Sequence, residues 1–78
     1  TCSRTKMNAM RYIVVIEKGT GSYGAYVPDL PGVMSVGDSE EEVTANIRDA
    51  VLLHLEGLRE AGDRIPEPRT SVAVIEAA

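Results

Sequence analysis

The sequence has little of the chemistry on which many small proteins rely. Its 78 residues include one cysteine, Cys2, one histidine, His54, and no tryptophan or phenylalanine. A lone cysteine cannot form a disulfide within the chain. One cysteine and one histidine are also too few to build a metal site from these two residue types. No apolar run approaches the roughly 18 residues of a membrane span. We therefore predict a soluble cytoplasmic protein with no membrane contact and no cofactor.

Charge is distributed unevenly along the chain. Residues 1–9 hold Arg4 and Lys6 and no acid, whereas residues 10–78 hold six basic and twelve acidic side chains, a net charge of −6. Such a body repels a phosphate backbone and attracts a basic protein, so we expect no direct binding of nucleic acid by this chain. We divide the chain into a leader, 1–9, which is disordered or not native, and a single domain, 10–78.

Strand and turn signals alternate before one long helix. Residues 11–17 are apolar and β-branched almost without a break, which predicts a central strand buried on both faces. Residues 23–27 and 33–36 predict two further antiparallel strands, joined through the Pro-Asp-Leu-Pro-Gly corner at 28–32. Residues 71–75, Ser-Val-Ala-Val-Ile, predict the last strand.

A capping box marks the start of the helix. Ser39 can accept a hydrogen bond from the backbone N–H of Glu42, and the Glu42 carboxylate can reach back to Ser39. The pattern predicts a helix over 40–61 that ends at Gly62. An apolar stripe along one face of this helix consists of Val43, Ile47, Ala50, Val51, His54, Leu58 and Ala61.

These elements combine into an α+β fold. The first three strands form an antiparallel meander, and the helix returns the chain by a right-handed crossover, so the last strand lies parallel to the first at its open edge. The predicted sheet is mixed, with strand order 3-2-1-4 and one long helix on one face. Because a single helix covers only one face of an apolar sheet, we expect a second copy of the chain on the other, in a homodimer or higher homo-oligomer.

Few residues offer catalytic chemistry. His54 lies on the apolar stripe, where a histidine is more simply a core or interface residue than a general base or ligand. A divalent metal would need carboxylates such as Glu17, Glu42 and Asp49 to face one site, yet Glu42 and Asp49 point away from the stripe. We predict no catalytic, cofactor-binding or metal-binding residue and no enzymatic activity.

An ordered set of residues in this chain resembles the N-terminal domain of the HicB antitoxin family. Members typically show a (Y/F)-x-A-x-x-P-D-(L/F)-P-G-x-x-(S/T)-x-G-(D/E)-(S/T)-x-E-E-A run, and their helix is followed by I-P-x-P. The matching residues are Tyr23, Ala25, Pro28, Asp29, Leu30, Pro31, Gly32, Ser35, Gly37, Asp38, Ser39, Glu41, Glu42, Ile65, Pro66 and Pro68. The resemblance covers the chain from about residue 10 to residue 75.

The resemblance implies a partial RNase H-like β-β-β-α-β fold and a place in a type II toxin–antitoxin system. HicB-like domains block HicA-like toxins, which are small basic mRNA-cleaving proteins, by covering the active site of the toxin. Full antitoxins usually add a C-terminal DNA-binding domain, but only residues 76–78 follow the last strand here, so we do not expect operator binding. Leu52 also departs from the family, because relatives often have a charged residue there.

We therefore predict an antitoxin-like binding protein that neutralises a HicA-like toxin by occlusion. Its predicted partner-binding residues are Asp38, Glu41 and Glu42 at the helix start, with Asp29 on the adjacent corner. Two alternatives stay open. One is a solitary oligomeric HicB-like module without a toxin, and the other is a degenerate RNase H-like metal-dependent nuclease, in which Glu17 stands near the place of that fold's first-strand acid.

Overall fold

In the computed structural model, which describes residues 10–77, three antiparallel strands precede one long helix that packs on one face of their sheet. The strands are β1 (Val15–Lys18), β2 (Tyr23–Tyr26) and β3 (Met34–Gly37), and the helix is α1 (Glu40–Ala61). The sheet order is β1-β2-β3. The predicted α+β class and the β-β-β-α order are confirmed, and the leader predicted for 1–9 lies outside the described residues.

The register of the two strand pairs decides which side chains face the helix. Ile16 lies opposite Ala25, which in turn lies opposite Ser35. Ala25 is only 4% exposed, so this row faces α1. Side chains alternate between the two faces of a sheet, so the neighbouring row points away from the helix. That outer row consists of Val15, Tyr26 and Met34.

The corner between β2 and β3 supplies the centre of the core. Leu30 is fully buried there, and the flanking Val27 and Val33 are buried as well. Their backbones bind one another, since Leu30 N–H donates to the Val27 carbonyl at 3.1 Å and Val33 N–H donates to the Leu30 carbonyl at 3.2 Å. Gly32 completes the turn at φ 87°, a left-handed conformation that glycine adopts without strain. The corner is thus a closed loop that inserts Leu30 under the helix.

Both ends of α1 are capped as the sequence indicates, with one change of partner. Ser39 Oγ accepts from Glu42 N–H at 3.0 Å, as predicted, but the Glu42 carboxylate accepts from the N–H of Asp38 and not from that of Ser39. At the other end Gly62 has φ 76°, and its N–H donates to the Arg59 carbonyl at 3.1 Å. A left-handed glycine of this kind satisfies carbonyls that the helix leaves unpaired.

The helix contacts the sheet through a face rotated slightly from the predicted stripe. Leu55, which is not part of the predicted stripe, is buried, whereas Ala61 is exposed. Leu52 and Leu53 are 59% and 71% exposed. The buried core of the described residues consists of Ala25, Val27, Leu30, Val33, Val43, Ile47 and Leu55.

Two strand predictions were wrong. β1 covers Val15–Lys18 instead of 11–17, and within residues 10–77 it pairs with β2 alone, so β2 and not β1 is the central strand. Residues 71–75 form no strand, and the structure therefore lacks the order 3-2-1-4 over its described part. The physical reason is pairing: an apolar β-branched pattern specifies strand propensity, but a strand forms only where an edge receives it.

Strand β3 passes into α1 through a close backbone contact at Gly37. A Cβ atom built on Gly37 would lie 2.7 Å from the backbone nitrogen of Val43 and 3.0 Å from its Cα. Asn46 adds a second tie, because its Nδ2 donates to the Val36 carbonyl at 2.9 Å. The end of the sheet and the first turns of the helix therefore leave no space for a side chain at position 37.

We predict that Gly37→Ala destabilises the fold while Gly24→Ala does not. The added methyl group at position 37 meets backbone atoms that cannot swing aside, and overpacking of this kind costs about 1–3 kcal/mol. Gly24 lies in a neighbouring strand with open space around its Cβ position, so alanine there should be neutral or slightly stabilising. Urea denaturation of both variants measures the difference, and equal midpoints would contradict the close contact.

Candidate partner-binding surfaces

The acidic start of α1 is exposed to solvent. Asp38, Glu40 and Glu41 all have exposed side chains, and we call these three residues the acidic start. Glu42 is exposed too, but its carboxylate is engaged by the Asp38 N–H. Acidic side chains in the first turn of a helix interact favourably with the positive end of the helix dipole. The acidic start therefore presents three exposed carboxylates to a basic partner.

An apolar surface adjoins the acidic start. Tyr26, Met34 and Val36 lie on the side of the sheet that α1 does not cover, and they are 41%, 69% and 72% exposed. We call these three residues the outer face. Val36 is two residues from Asp38 along the chain, so the apolar and acidic surfaces are continuous. Exposed apolar side chains that cluster beside charged ones are typical of protein-binding surfaces.

Asp29 does not belong to this surface. Gly37, next to Asp38, lies opposite Tyr23 at the start of β2, whereas Asp29 follows the end of β2. The register therefore places Asp29 at the opposite end of the sheet from the other predicted partner-binding residues. The structure brings Asp38, Glu41 and Glu42 together on one turn and leaves Asp29 apart from them.

The carboxylate of Asp29 instead holds the chain that follows the helix. Its Oδ2 accepts from the backbone N–H groups of Arg69 and Thr70, each at 3.0 Å, and its Oδ1 accepts from Thr70 Oγ1 at 2.9 Å. We call this set of bonds the clasp. These bonds lower the pKa of Asp29 below its ordinary value of 3.8, the Thr70 backbone N–H having the largest effect. No sequence signal paired Asp29 with residues that lie 40 and 41 positions away.

We call residues 63–70, which follow the helix, the connector, and a second bond holds it against the segment that precedes β1. The Tyr12 hydroxyl donates to the Pro66 carbonyl, and Ile65 packs on the core beside it. Burial raises the pKa of the Tyr12 hydroxyl, and the nearby Asp29 charge raises it further. The shallow depression of about 740 Å³ around this connector is lined by Asp29, Arg64 and Arg69, among others. The Asp29 carboxylate and the Pro66 carbonyl both have partners within the chain here, so we interpret this end of the sheet as a structural joint.

The remaining residues considered for chemistry do not assemble into a site. In the part of the chain that the structure describes, no three histidine, cysteine, aspartate or glutamate residues lie together as metal ligands. Glu17 is exposed on β1, and His54 is partly buried beside the corner residues Gly32 and Val33. None of the helices among residues 10–77 has the length and apolar character to cross a membrane.

Comparison with known proteins identifies the family. The model of a family described as "HicB_like antitoxin of bacterial toxin-antitoxin system" matches residues 12–78. The matched stretch includes all three strands, the helix and the connector that the clasp holds. The chain belongs to the HicB-like antitoxin family, as the sequence resemblance predicted.

Individual relatives are similar over parts of their length. A 14.9 kDa protein from the rep-hol intergenic region of Haemophilus phage HP1 is 38% identical over 58 residues, which are 74% of this chain and 44% of the phage protein. A UPF0150 protein of Thermoplasma acidophilum is 32% identical over 69 residues, which are 87% of this chain and 100% of that protein. The chain thus spans less than half of the phage relative. No solved structure matches it.

We predict that Asp29→Asn loosens the clasp. An asparagine keeps the shape but loses the charge that strengthens the bonds to the Arg69 and Thr70 amides, so these two amides should exchange with solvent faster. Hydrogen exchange followed by NMR measures them. Asp49→Asn, on the exposed side of α1, removes the same charge and should leave both amides unchanged.

The effect of Asp29→Asn on the stability of the fold should depend on pH. Because folding lowers the Asp29 pKa, the clasp stabilises the fold above the unfolded-state pKa of about 3.8, and this stability is lost as pH falls through the folded-state pKa. The stability gap between wild type and Asp29→Asn should be full at about pH 6 and should narrow as pH falls below the folded-state pKa of Asp29. A gap that stays constant over this range would show that Asp29 does not act as a carboxylate.

Proposed function

We propose that this chain is an antitoxin that neutralises a HicA-like mRNA-cleaving toxin by covering the toxin's active site. Membership of the HicB-like antitoxin family over residues 12–78 is the observation that supports the proposal most. An antitoxin role implies a toxin partner, and the resemblance of the Tyr23 to Glu42 stretch to HicB domains makes a HicA-like toxin the partner of choice.

The charge of the chain suits such a partner. Residues 10–78 carry a net charge of −6, and the acidic start concentrates three exposed carboxylates at one helix terminus. An enzyme that binds RNA needs a basic surface for the phosphates, and an acidic protein that occupies this surface competes with the substrate directly. Occlusion therefore needs no catalytic group in the antitoxin.

The outer face supplies the apolar part of the proposed interface. Charge complementarity mainly raises the association rate, whereas affinity depends on buried apolar side chains near the centre of the contact. Tyr26, Met34 and Val36 provide such side chains beside Asp38. We assign Asp38 and Glu41 to the electrostatic attraction of the toxin during association, and the outer face to the apolar contact that holds the complex. We exclude Asp29 from the interface because the clasp engages its carboxylate.

The alternatives differ from this proposal in testable ways. A solitary oligomeric module would share the exposed surfaces but have no toxin to bind. A metal-dependent nuclease would need a cluster of carboxylates, and among residues 10–77 Glu17 has no companion that could complete one. A cytoplasmic location and a homo-oligomeric state accompany the proposal as further expectations.

We predict that co-expression of the chain with a HicA-like toxin from the same genome restores growth of a bacterial host, and that the two proteins co-purify. Removal of two charges from the acidic start, in Asp38→Asn/Glu41→Gln, should slow association several-fold and flatten its dependence on salt. Stopped-flow or surface-binding kinetics at several salt concentrations measure both effects.

The matched control removes two charges far from the acidic start. Glu56→Gln/Glu60→Gln changes exposed residues near the other end of α1 and alters the net charge by the same amount. If both double variants slow association equally, only the total charge matters and the acidic start is not the docking site. A folded chain that neither rescues growth nor binds the toxin would favour the solitary module.

A further inference from the structure

A glycine interrupts the side of the sheet that faces away from α1. Gly24 lies in β2, opposite Glu17 of β1 and opposite Val36 of β3. This row neighbours the row of Ala25, which faces α1, so its side chains point to the outer side of the sheet. A Cβ atom built on Gly24 would have no heavy atom within 4 Å. The central strand therefore carries a gap where the strands on both sides of it carry side chains.

Three exposed side chains surround this gap, and we call the space between them the notch. Glu17 and Val36 flank it, because side chains that lie opposite each other on neighbouring strands are about 5 Å apart. Tyr26 follows Gly24 by two residues on the same strand, so it stands about 7 Å further along the same face. The notch thus has an aromatic side, an apolar side and a side formed by a carboxylate.

Nothing within the chain requires a glycine at position 24. The backbone there is not left-handed, in contrast to Gly21 and Gly32, and no atom occupies the place of a side chain. Glycine in the interior of a strand weakens the strand, and it often marks a place where a ligand or another chain approaches closely. We therefore interpret the missing side chain as space for a group from outside the chain.

The surroundings of the notch match a long basic side chain. An arginine has an apolar stem, for which the Gly24 backbone and Val36 provide a surface, and it ends in a planar guanidinium. A guanidinium stacks on an aromatic ring within about 6 Å of the ring centre, and it binds a carboxylate through two parallel N–H bonds. Tyr26 and Glu17 supply this ring and this carboxylate on adjacent sides of the notch.

Charge decides which molecule supplies this side chain. The exposed segment 71–77 contains no arginine or lysine and one acid, Glu76, so it has no group for the notch. A second copy has a net charge of −6 over residues 10–78, and its approach to Glu17 and the adjoining acidic start is opposed by repulsion. A basic protein is attracted to the same surface. The occupant that fits is therefore a basic protein such as the toxin of the proposed function.

We propose that the notch receives one arginine side chain of the toxin, which stacks on Tyr26 and pairs with Glu17. This assignment rests on the proposed function, since it names the contact through which the outer face holds a basic partner. A protein that cleaves RNA needs basic side chains to bind phosphates, so an arginine held in the notch is withdrawn from the substrate. Glu17, which the sequence offered only as part of a metal site, thereby has a role in recognition.

The first test fills the notch. In Gly24→Val the added side chain takes the space of the arginine stem, so the dissociation constant of the complex with the toxin should rise about tenfold or more. The variant should fold, because no atom lies within 4 Å of the added Cβ and valine favours strands. Gly57→Val is the matched control: Gly57 is exposed on α1 with equally open space, and its variant should bind the toxin as wild type does.

The second test removes the carboxylate without adding bulk. Glu17→Gln should raise the dissociation rate of the complex, because loss of a buried charge pair acts on dissociation, whereas loss of an exposed charge acts on association. Glu56→Gln removes an equal charge from an exposed position on α1 and should leave the dissociation rate unchanged. In double-mutant cycles with toxin variants that replace each arginine by alanine, the effect of Glu17→Gln should be non-additive with one arginine.

The outcomes separate this proposal from the proposed function. If the toxin binds wild type, Gly24→Val and Gly57→Val equally well, or if Glu17→Gln couples to no arginine, the notch assignment is wrong and the antitoxin role stands. A toxin affinity that rises in Arg4→Ala/Lys6→Ala would show that residues 1–9 fill the notch, and a toxin-free dimer that Gly24→Val dissociates would show that a second copy does. Either result overturns the proposal. A wild type that binds no toxin removes the proposed function and the notch assignment together.

Discussion

The close contact between Gly37 and the backbone of Val43 fixes the geometry of the whole domain. It sets the first turn of the helix directly on the end of β3, and Asn46 binds the Val36 carbonyl from the next turn. A helix of 22 residues is about 33 Å long, whereas strands of four residues extend about 13 Å. The helix must therefore overhang the sheet, and its distal half needs a different partner.

The corner and the connector provide that partner. Leu30 and Val33 belong to the same core cluster as Leu55, and Ile65 of the connector packs against this cluster. The clasp and the Tyr12 hydroxyl then hold the connector to the end of the sheet. This arrangement buries the apolar surface on one side of the sheet only. The outer face, on the other side of the sheet, remains exposed.

Local signals predicted the parts of the fold that depend on neighbouring residues. Ser39 and Gly62 marked the ends of the helix because caps act within one turn, and Pro-Asp-Leu-Pro-Gly marked the corner because turn residues set their own backbone angles. The fourth strand was predicted wrongly because pairing is decided by an edge far along the chain. The same limit applies to the candidate partner-binding residues. Asp38, Glu41 and Glu42 are close in sequence and lie at one helix start, but Asp29 binds Thr70, 41 residues away, and no local signal pairs these two.

The residues on the two sides of the clasp should also differ in how well they tolerate substitution. Asp29 contributes a carboxylate, and no other side chain of that length offers two charged acceptors to three donors. Arg69 contributes only its backbone N–H, which every residue except proline possesses. Thr70 adds a hydroxyl that serine can replace. Across natural variants of this domain, the residue at position 29 should therefore nearly always be aspartate. Position 69 should accept any residue except proline.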